Sequence, residues 1–274
     1  MIFVLLIILL YFIYNNIYYI ELFDIEPSNK KIAFLFLIYD EINNEKLWKS
    51  FFRSCDINKY SIYIHYKYYK KSNYFDKYKL KNIIPTEWGD ISLVKAQNLL
   101  LKEALKDKNN TNFILLSNSC IPCKNFKYIY LNLNQKFSYF DLCSDSQYNR
   151  CQKALNYINI YDIKKSSQWS ILNRKHAKLL VNDEHKYIDW FDICPDEHSY
   201  ITYLFYNNLD NEIIKTTDGI NAKTYVNWLD NSLVKYYNYI DKNNLYNIYN
   251  SPCFFARKFK KNFTNIDILY PLIS

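Results

Sequence analysis

The sequence predicts an α/β fold built around a parallel sheet, and three observations carry that prediction. Lys31 to Ile38 is a continuous apolar run behind two lysines, the pattern of a strand buried on both faces. Asn43 to Cys55 follows at helical spacing, pairing Leu47 with Phe51 and Trp48 with Phe52. Tyr60 to Tyr66 is rich in β-formers and reaches His65 at its end. Strand, helix, strand in that order opens an α/β domain.

The remaining elements follow in chain order. A Lys/Tyr-rich loop, Lys67 to Lys81, leads to Ile83-Ile84-Pro85 and Trp88-Gly89-Asp90. Residues 91–105 form the clearest helix. Asp90 or Ser92 can cap it, and Leu93, Ala96, Leu100 and Ala104 share one face. Phe113 to Leu116 is another buried strand and runs into Ser117-Asn118-Ser119-Cys120. In open α/β sheets the ligand crevice lies beyond the carboxyl ends of strands, so the residues after Leu116 are candidates for a nucleotide pocket. The stretch 131–165 is polar and poorly patterned. Ser166 to Leu172 reads as a strand or strand end, and Asn173 to Val181 as a helix. Pro195 suits the first turn of a helix, and Asp196 and Glu197 suit its dipole. A strand is expected around Ile213-Ile214, with Thr224 to Trp228 and Phe254 to Phe259 closing the chain. No internal repeat interrupts 31–274, which reads as one domain.

Residues 1–14 carry no charged side chain, and the apolar character resumes at Ile17 to Ile20. That is near the length needed to span a bilayer, and no small-residue cleavage site follows. A retained signal anchor over 1–20 and a short stem over 21–30 are therefore expected.

Half of the residues are apolar and 19% are aromatic, which supports a sizeable core and argues against disorder. The net charge of +8 admits nucleic acid, anionic membrane or phosphate-bearing small molecules as partners. The lysines of 67–81 are interleaved with tyrosines, but no nucleic-acid-binding module is visible, and nucleic acid is not an expected partner. Seven cysteines fit an oxidising compartment, with one left over if all bonds are internal. Cys120 and Cys123 form a lone C-x-x-C without a second pair at zinc-ribbon spacing. Asn109 and Asn262 head glycosylation sequons.

One acid stands out. Tyr200, Ile201, Leu204 and Phe205 lie three, four, seven and eight residues after Glu197, so Glu197 heads an apolar stripe. A carboxylate there is either a helix-starting acid with a partly wet side chain or a base at a cleft edge.

Four segments in order, KIAFLFLIYD, WGDISLVKAQNLLLKEAL with FILLSNSCIPCKNF, KSSQWSILNRKHA with PDEH, and FFARKF, give the chain a resemblance. Over about residues 31–261 it resembles the core-2/I-branching β-1,6-N-acetylglucosaminyltransferase family, particularly its plant-type relatives. The resemblance implies a GT-A-like, Rossmann-type nucleotide-sugar transferase domain behind an N-terminal membrane anchor. It implies inverting transfer of N-acetylglucosamine from UDP-GlcNAc to a sugar hydroxyl, β-1,6 branching, in Golgi or other secretory membranes with the domain lumenal. The family's base falls on Glu197. The lysine of its Phe-Ala-x-Lys-Phe segment falls on Lys258, which would stabilise the leaving diphosphate in place of a metal ion. No metal or other cofactor is expected, and no Asp-x-Asp follows a strand. Arg257, His65, Trp88 and Ser119 are expected at the nucleotide sugar, and Asp196, Trp169 and Trp228 at the glycan acceptor. Asn118 replaces the glutamate of the plant-type Ser-Glu-Ser-Cys, which bears on donor choice. A second basic residue that assists the diphosphate has no firm match; Lys235 and Lys242 are candidates. Xylose transfer on the same scaffold and a catalytically dead glycan-binding protein are the alternative readings.

Overall fold

Eight residues that are almost all apolar and buried, Lys31–Ile38, form the central strand β1. The computed structural model describes residues 29–71, 74–217, 223–230 and 233–273. The expected anchor, and most of the stem, lie outside them. Among the described residues no helix is long and apolar enough to cross a membrane.

The other strands are β2 (Tyr60–Tyr66), β3 (Asn110–Ser117), β4 (Ile121–Pro122), β5 (Ser138–Leu142), β6 (Ile171–Asn173), β7 (Ile213–Thr217), β8 (Thr224–Val226), β9 (Trp228–Asp230), β10 (Leu233–Val234) and β11 (Phe255–Arg257). The helices are α1 (Glu45–Arg53), α2 (Ser92–Ala104), α3 (Phe126–Asn132), α4 (Arg174–Asn182), α5 (Glu184–Tyr187), α6 (Pro195–Tyr206), α7 (Lys242–Asn250) and α8 (Tyr270–Ile273).

The main sheet has the order β2-β1-β3-β6-β5-β7. β1 pairs in parallel with β2 and β3, and β5 pairs in parallel with β7. The parallel opening read from the sequence is therefore present. β6 departs from it, running antiparallel to both β3 and β5. Because β6 is reversed between them, β3 and β5 point the same way. The carboxyl ends of β1, β2, β3 and β5 consequently share one rim of the sheet, and the amino end of β6 lies on that rim as well.

Two apolar layers cover the sheet. On one face Phe34 and Phe36 pack against Trp48, Phe51 and Phe52 of α1, with Phe34–Phe52 and Phe36–Trp48 ring centroids at 5.1 and 5.0 Å in edge-to-face contact. On the other, Ala33, Leu35, Phe113 and Leu115 meet Leu100, Leu101, Leu180 and Leu204. The alternation of Phe34 and Phe36 with Ala33 and Leu35 puts the large rings on one side.

Two expectations need correction. The stretch 131–165 contains a sheet strand, β5, in which Ser138, Tyr139 and Phe140 are buried. Five residues are too few to show a period, and the single-turn 3₁₀ segments at 148–162 have none to show. The apolar stripe expected on α6 is in fact a helix buried nearly all round, His198, Ser199 and Thr202 included. The cause is local: the Thr202 hydroxyl donates to the Lys164 carbonyl and accepts from the Lys164 N–H, and the His198 ring contacts the Cys194 and Ser146 carbonyl oxygens. Thr202 and His198, with these partners, are buried at little cost, whereas the Ser199 hydroxyl is buried without a hydrogen-bond partner.

Candidate active site

The rim brings the chemistry together. β4 follows directly on β3 and pairs antiparallel with β11, which pairs in parallel with β8. That small sheet carries Arg257 and Lys258 to the loop after β3, where the Phe259 N–H donates to the Ser119 carbonyl at 2.9 Å. Asn43, beyond the end of β1, is tied to the same place. Its N–H donates to the Asn118 carbonyl and its side-chain amide to the Phe259 carbonyl, at 2.9 and 2.8 Å.

A cleft of about 490 Å³ opens there, within the range of small-molecule sites. Among the described residues its lining includes Asn118, Ser119, Tyr236, Arg257, Lys258, Lys260 and Lys261 and no carboxylate. Lys261 is ion-paired with Glu41. Lys258 donates to the Tyr236 hydroxyl at 3.1 Å. Arg257 is half-buried, its guanidinium lies 4.2 Å from the Trp169 ring centroid, and its Nε is buried without a hydrogen-bond partner. Burial lowers its pKa, and no carboxylate pairs with it among the described residues. Arg257 is thus a half-buried cation without a counter-charge among the described residues.

Glu197 stands further along the same rim. Its carbonyl accepts from the Ser166 N–H at 2.9 Å, and Ser166 bridges to Leu142 at the end of β5. β3 and β5 are two strand spacings apart, about 10 Å. Trp169 lies between them at the amino end of β6, with Arg257 on its ring. The Glu197 side chain is 33% exposed, and its Oε2 is 3.3 Å from Nζ of Lys165, which is only 12% exposed. Burial disfavours the charge on Lys165, but Glu197 and the Cys143 thiol beside it outweigh burial, and its pKa is raised. Lys165 is therefore an ammonium fixed against the carboxylate. Asp196 next door has its pKa pushed up to about 7, first by burial and then by the Glu197 charge, and its Oδ1 is buried without a partner.

The other expected residues are spread more widely. Ser119 lines the cleft, its hydroxyl 3.0 Å from that of Ser117. Trp228 is 57% exposed, two residues beyond Val226, the strand partner of Arg257. Trp88 is outside the cleft lining, in a turn whose Gly89 carbonyl accepts from the Cys194 N–H at the start of α6. Of the two candidates for a second basic residue, Lys235 is beside Lys258, whose N–H is directed at the Lys235 carbonyl, whereas Lys242 opens α7. The seven cysteines are free thiols. Among the described residues no three His, Cys, Asp or Glu side chains are grouped as metal ligands would be.

His65 closes β2, fully buried. The Ile84 N–H donates to its Nε2 at 3.0 Å, which leaves the ring proton on Nδ1, an atom without a partner. Burial lowers its pKa to about 4. Between that value and the ordinary 6.5, the unfolded chain takes up a proton that the folded chain refuses. Stability therefore rises with pH across this window and is lost as pH falls through it. Urea unfolding of wild type and His65→Gln should diverge by about 3 kcal/mol over that range, the variant having the flatter profile. Parallel profiles would show that the ring carries no such shift.

Lys165 is the residue that sequence reasoning missed. It opens the KSSQW segment, but nothing in the spacing marks one lysine among so many. Its signal is three-dimensional: a lysine turned inward onto a carboxylate.

The family model described as Core-2/I-Branching enzyme matches residues 32–253. The chain is 28% identical over 232 residues to Glycosyltransferase BC10 of Oryza sativa subsp. japonica, an alignment that covers 72% of this chain and 58% of that protein. The matched part is thus just over half the length of that relative.

Proposed function

Because this chain belongs to the Core-2/I-branching enzyme family, we propose that it is an inverting glycosyltransferase that moves N-acetylglucosamine from UDP-GlcNAc to a hydroxyl of a glycan acceptor. The observation that carries this reading is the cleft beyond β1 and β3, lined by cations and by no acid, with Arg257 lacking a carboxylate partner among the described residues. A diphosphate supplies the missing anion. Arg257 offers a fork of donors and Lys258 a point charge, and both gain strength as negative charge grows on the departing oxygen. These cations take the part that a divalent metal plays elsewhere, and the reaction needs none.

Glu197 is the general base. It accepts the proton of the acceptor hydroxyl while that oxygen attacks the anomeric carbon from the face opposite UDP, so that one displacement inverts the configuration. Lys165 holds the carboxylate in place, and Asp196 is set to orient either Glu197 or the acceptor. Trp228 and Trp169 are assigned to the sugar rings of the acceptor, Trp228 with its ring open to solvent. Xylose is the second donor reading; Asn118, an amide on the cleft wall where the resemblance expects an acid, bears on the choice of sugar. The setting is a secretory membrane, with residues 1–20 as anchor and the domain lumenal.

The test is UDP release by the purified full chain from UDP-GlcNAc and UDP-xylose, with a glycan mixture as acceptor, in EDTA and in added divalent metal. Turnover that survives EDTA, with UDP-GlcNAc the faster donor, is expected. Loss of turnover in EDTA would sink the metal-free mechanism, and UDP binding without turnover would mark a dead scaffold.

A further inference from the structure

Trp88 is 88% exposed, the barest large apolar side chain among the described residues. An indole left in water forgoes a burial that most tryptophans achieve. The turn that carries it is tightly held. The Asp90 N–H donates to the Glu87 carbonyl at 3.3 Å, closing a four-residue turn with Trp88 at its first corner and Gly89 at its second. Gly89 has φ +70°, the left-handed conformation that the second corner of a type II turn requires. The Glu87 N–H donates to the Ser92 hydroxyl at 2.9 Å, and the Ser92 N–H to the Asp90 carboxylate at 2.8 Å. The Glu87 carboxylate is 2.8 Å from Nζ of Lys67, just past the end of β2. Such a turn fixes the backbone that carries the ring, so the backbone has little freedom left to lose on binding.

The location gives the ring a purpose. The Gly89 carbonyl accepts from the Cys194 N–H at 3.0 Å, and the Glu197 N–H donates to the Cys194 carbonyl at 3.0 Å. One residue, Cys194, thus links the tryptophan turn to the acid. Along that path the two Cα atoms are no more than roughly 15 Å apart, a span of a few pyranose rings. Trp88 is also outside the cationic cleft.

We propose that Trp88 is an acceptor subsite: it stacks on the apolar face of a pyranose one or two residues away from the hydroxyl presented to Glu197. The acceptor is then an oligosaccharide, not a single sugar. This rests on the proposed transferase reading for the role of Glu197, but the stacking itself is separable from it.

The experiment uses the full chain with saturating UDP on an array of defined mono-, di- and trisaccharides, with the retained saccharide then titrated by calorimetry. Wild type, Trp88→Ala and Trp88→Phe are compared, and the thermal shift induced by UDP alone is recorded for each. The expected result is retention of oligosaccharides over monosaccharides, an affinity roughly 10- to 100-fold weaker in Trp88→Ala, near wild-type affinity in Trp88→Phe, and one UDP shift common to all three. Equal saccharide affinity in wild type and Trp88→Ala overturns the proposal. So does a UDP shift lost in Trp88→Ala, which would make Trp88 a donor residue, and so does a wild type that retains no saccharide. Absence of any UDP shift in wild type, with Trp88-dependent saccharide retention intact, would strike the transferase reading and leave the subsite standing.

Discussion

Glu197→Gln is expected to reduce sugar transfer by roughly 10²- to 10⁴-fold, the range for loss of a general base, with UDP affinity kept. The amide preserves shape and hydrogen-bonding reach but cannot take a proton. Glu197 is not part of the cleft lining, so the thermal shift given by UDP should persist. Stability has its own signature. Lys165 is only 12% exposed and faces Glu197 at 3.3 Å, so the variant leaves an ammonium without its counter-charge. A cost of about 1–2 kcal/mol follows, less than for a fully buried pair because Glu197 is partly wet. Adding Lys165→Met should recover that loss without restoring turnover. Turnover of Glu197→Gln within threefold of wild type would remove Glu197 from the reaction. Failure of Lys165→Met to recover stability would show that Lys165 serves the fold through Cys143 and not through the acid.

What was legible in the sequence follows from what leaves a linear trace. β1 and β2 are found at their expected bounds, and α1, α2 and α4 within two residues of theirs, because each buries a periodic or continuous apolar face. The structure adds that Asn173 caps α4, its side chain accepting from the His176 N–H at 2.7 Å. β5 left no trace because it is short and lies among polar turns. The antiparallel sense of β6 was also hidden, since three residues pair equally well either way and only their partners decide. The site divides in the same manner. Glu197, Lys258 and Arg257 could be singled out because they lie in the segments that carry the family resemblance. Lys165 and the contact of Gly89 with Cys194 were not, since they join segments that are distant in sequence and meet only at the rim. A lysine-rich composition hid Lys165 further, because abundance removes the contrast that would single it out.

Arg257→Met is expected to separate donor binding from folding, in opposite directions. A hydrogen bond to a charged group is worth about 1.5–3 kcal/mol, and a guanidinium can make two to one phosphate. UDP affinity should therefore fall by at least 10²-fold, read by calorimetry or by loss of the UDP-induced thermal shift. The protein without UDP should be as stable as wild type or gain up to about 1 kcal/mol. The guanidinium is half-buried, its Nε has no partner, and burial already lowers its pKa, all of which are costs to the empty fold. Methionine removes those costs and keeps an unbranched side chain over Trp169, giving up only the cation–π contact at 4.2 Å, worth about 0.5–2 kcal/mol. Lys258→Met is the control for position. Among the described residues its amine is held by Tyr236 alone, through the hydroxyl and the ring face, so it should weaken UDP binding with little change in stability. If Arg257→Met instead unfolds the protein while UDP binding survives in what remains folded, Arg257 is a strut under Trp169 and the diphosphate must be held elsewhere. A residue kept at the expense of stability, and needed only when the anion is present, is what a donor site predicts and a structural arginine does not.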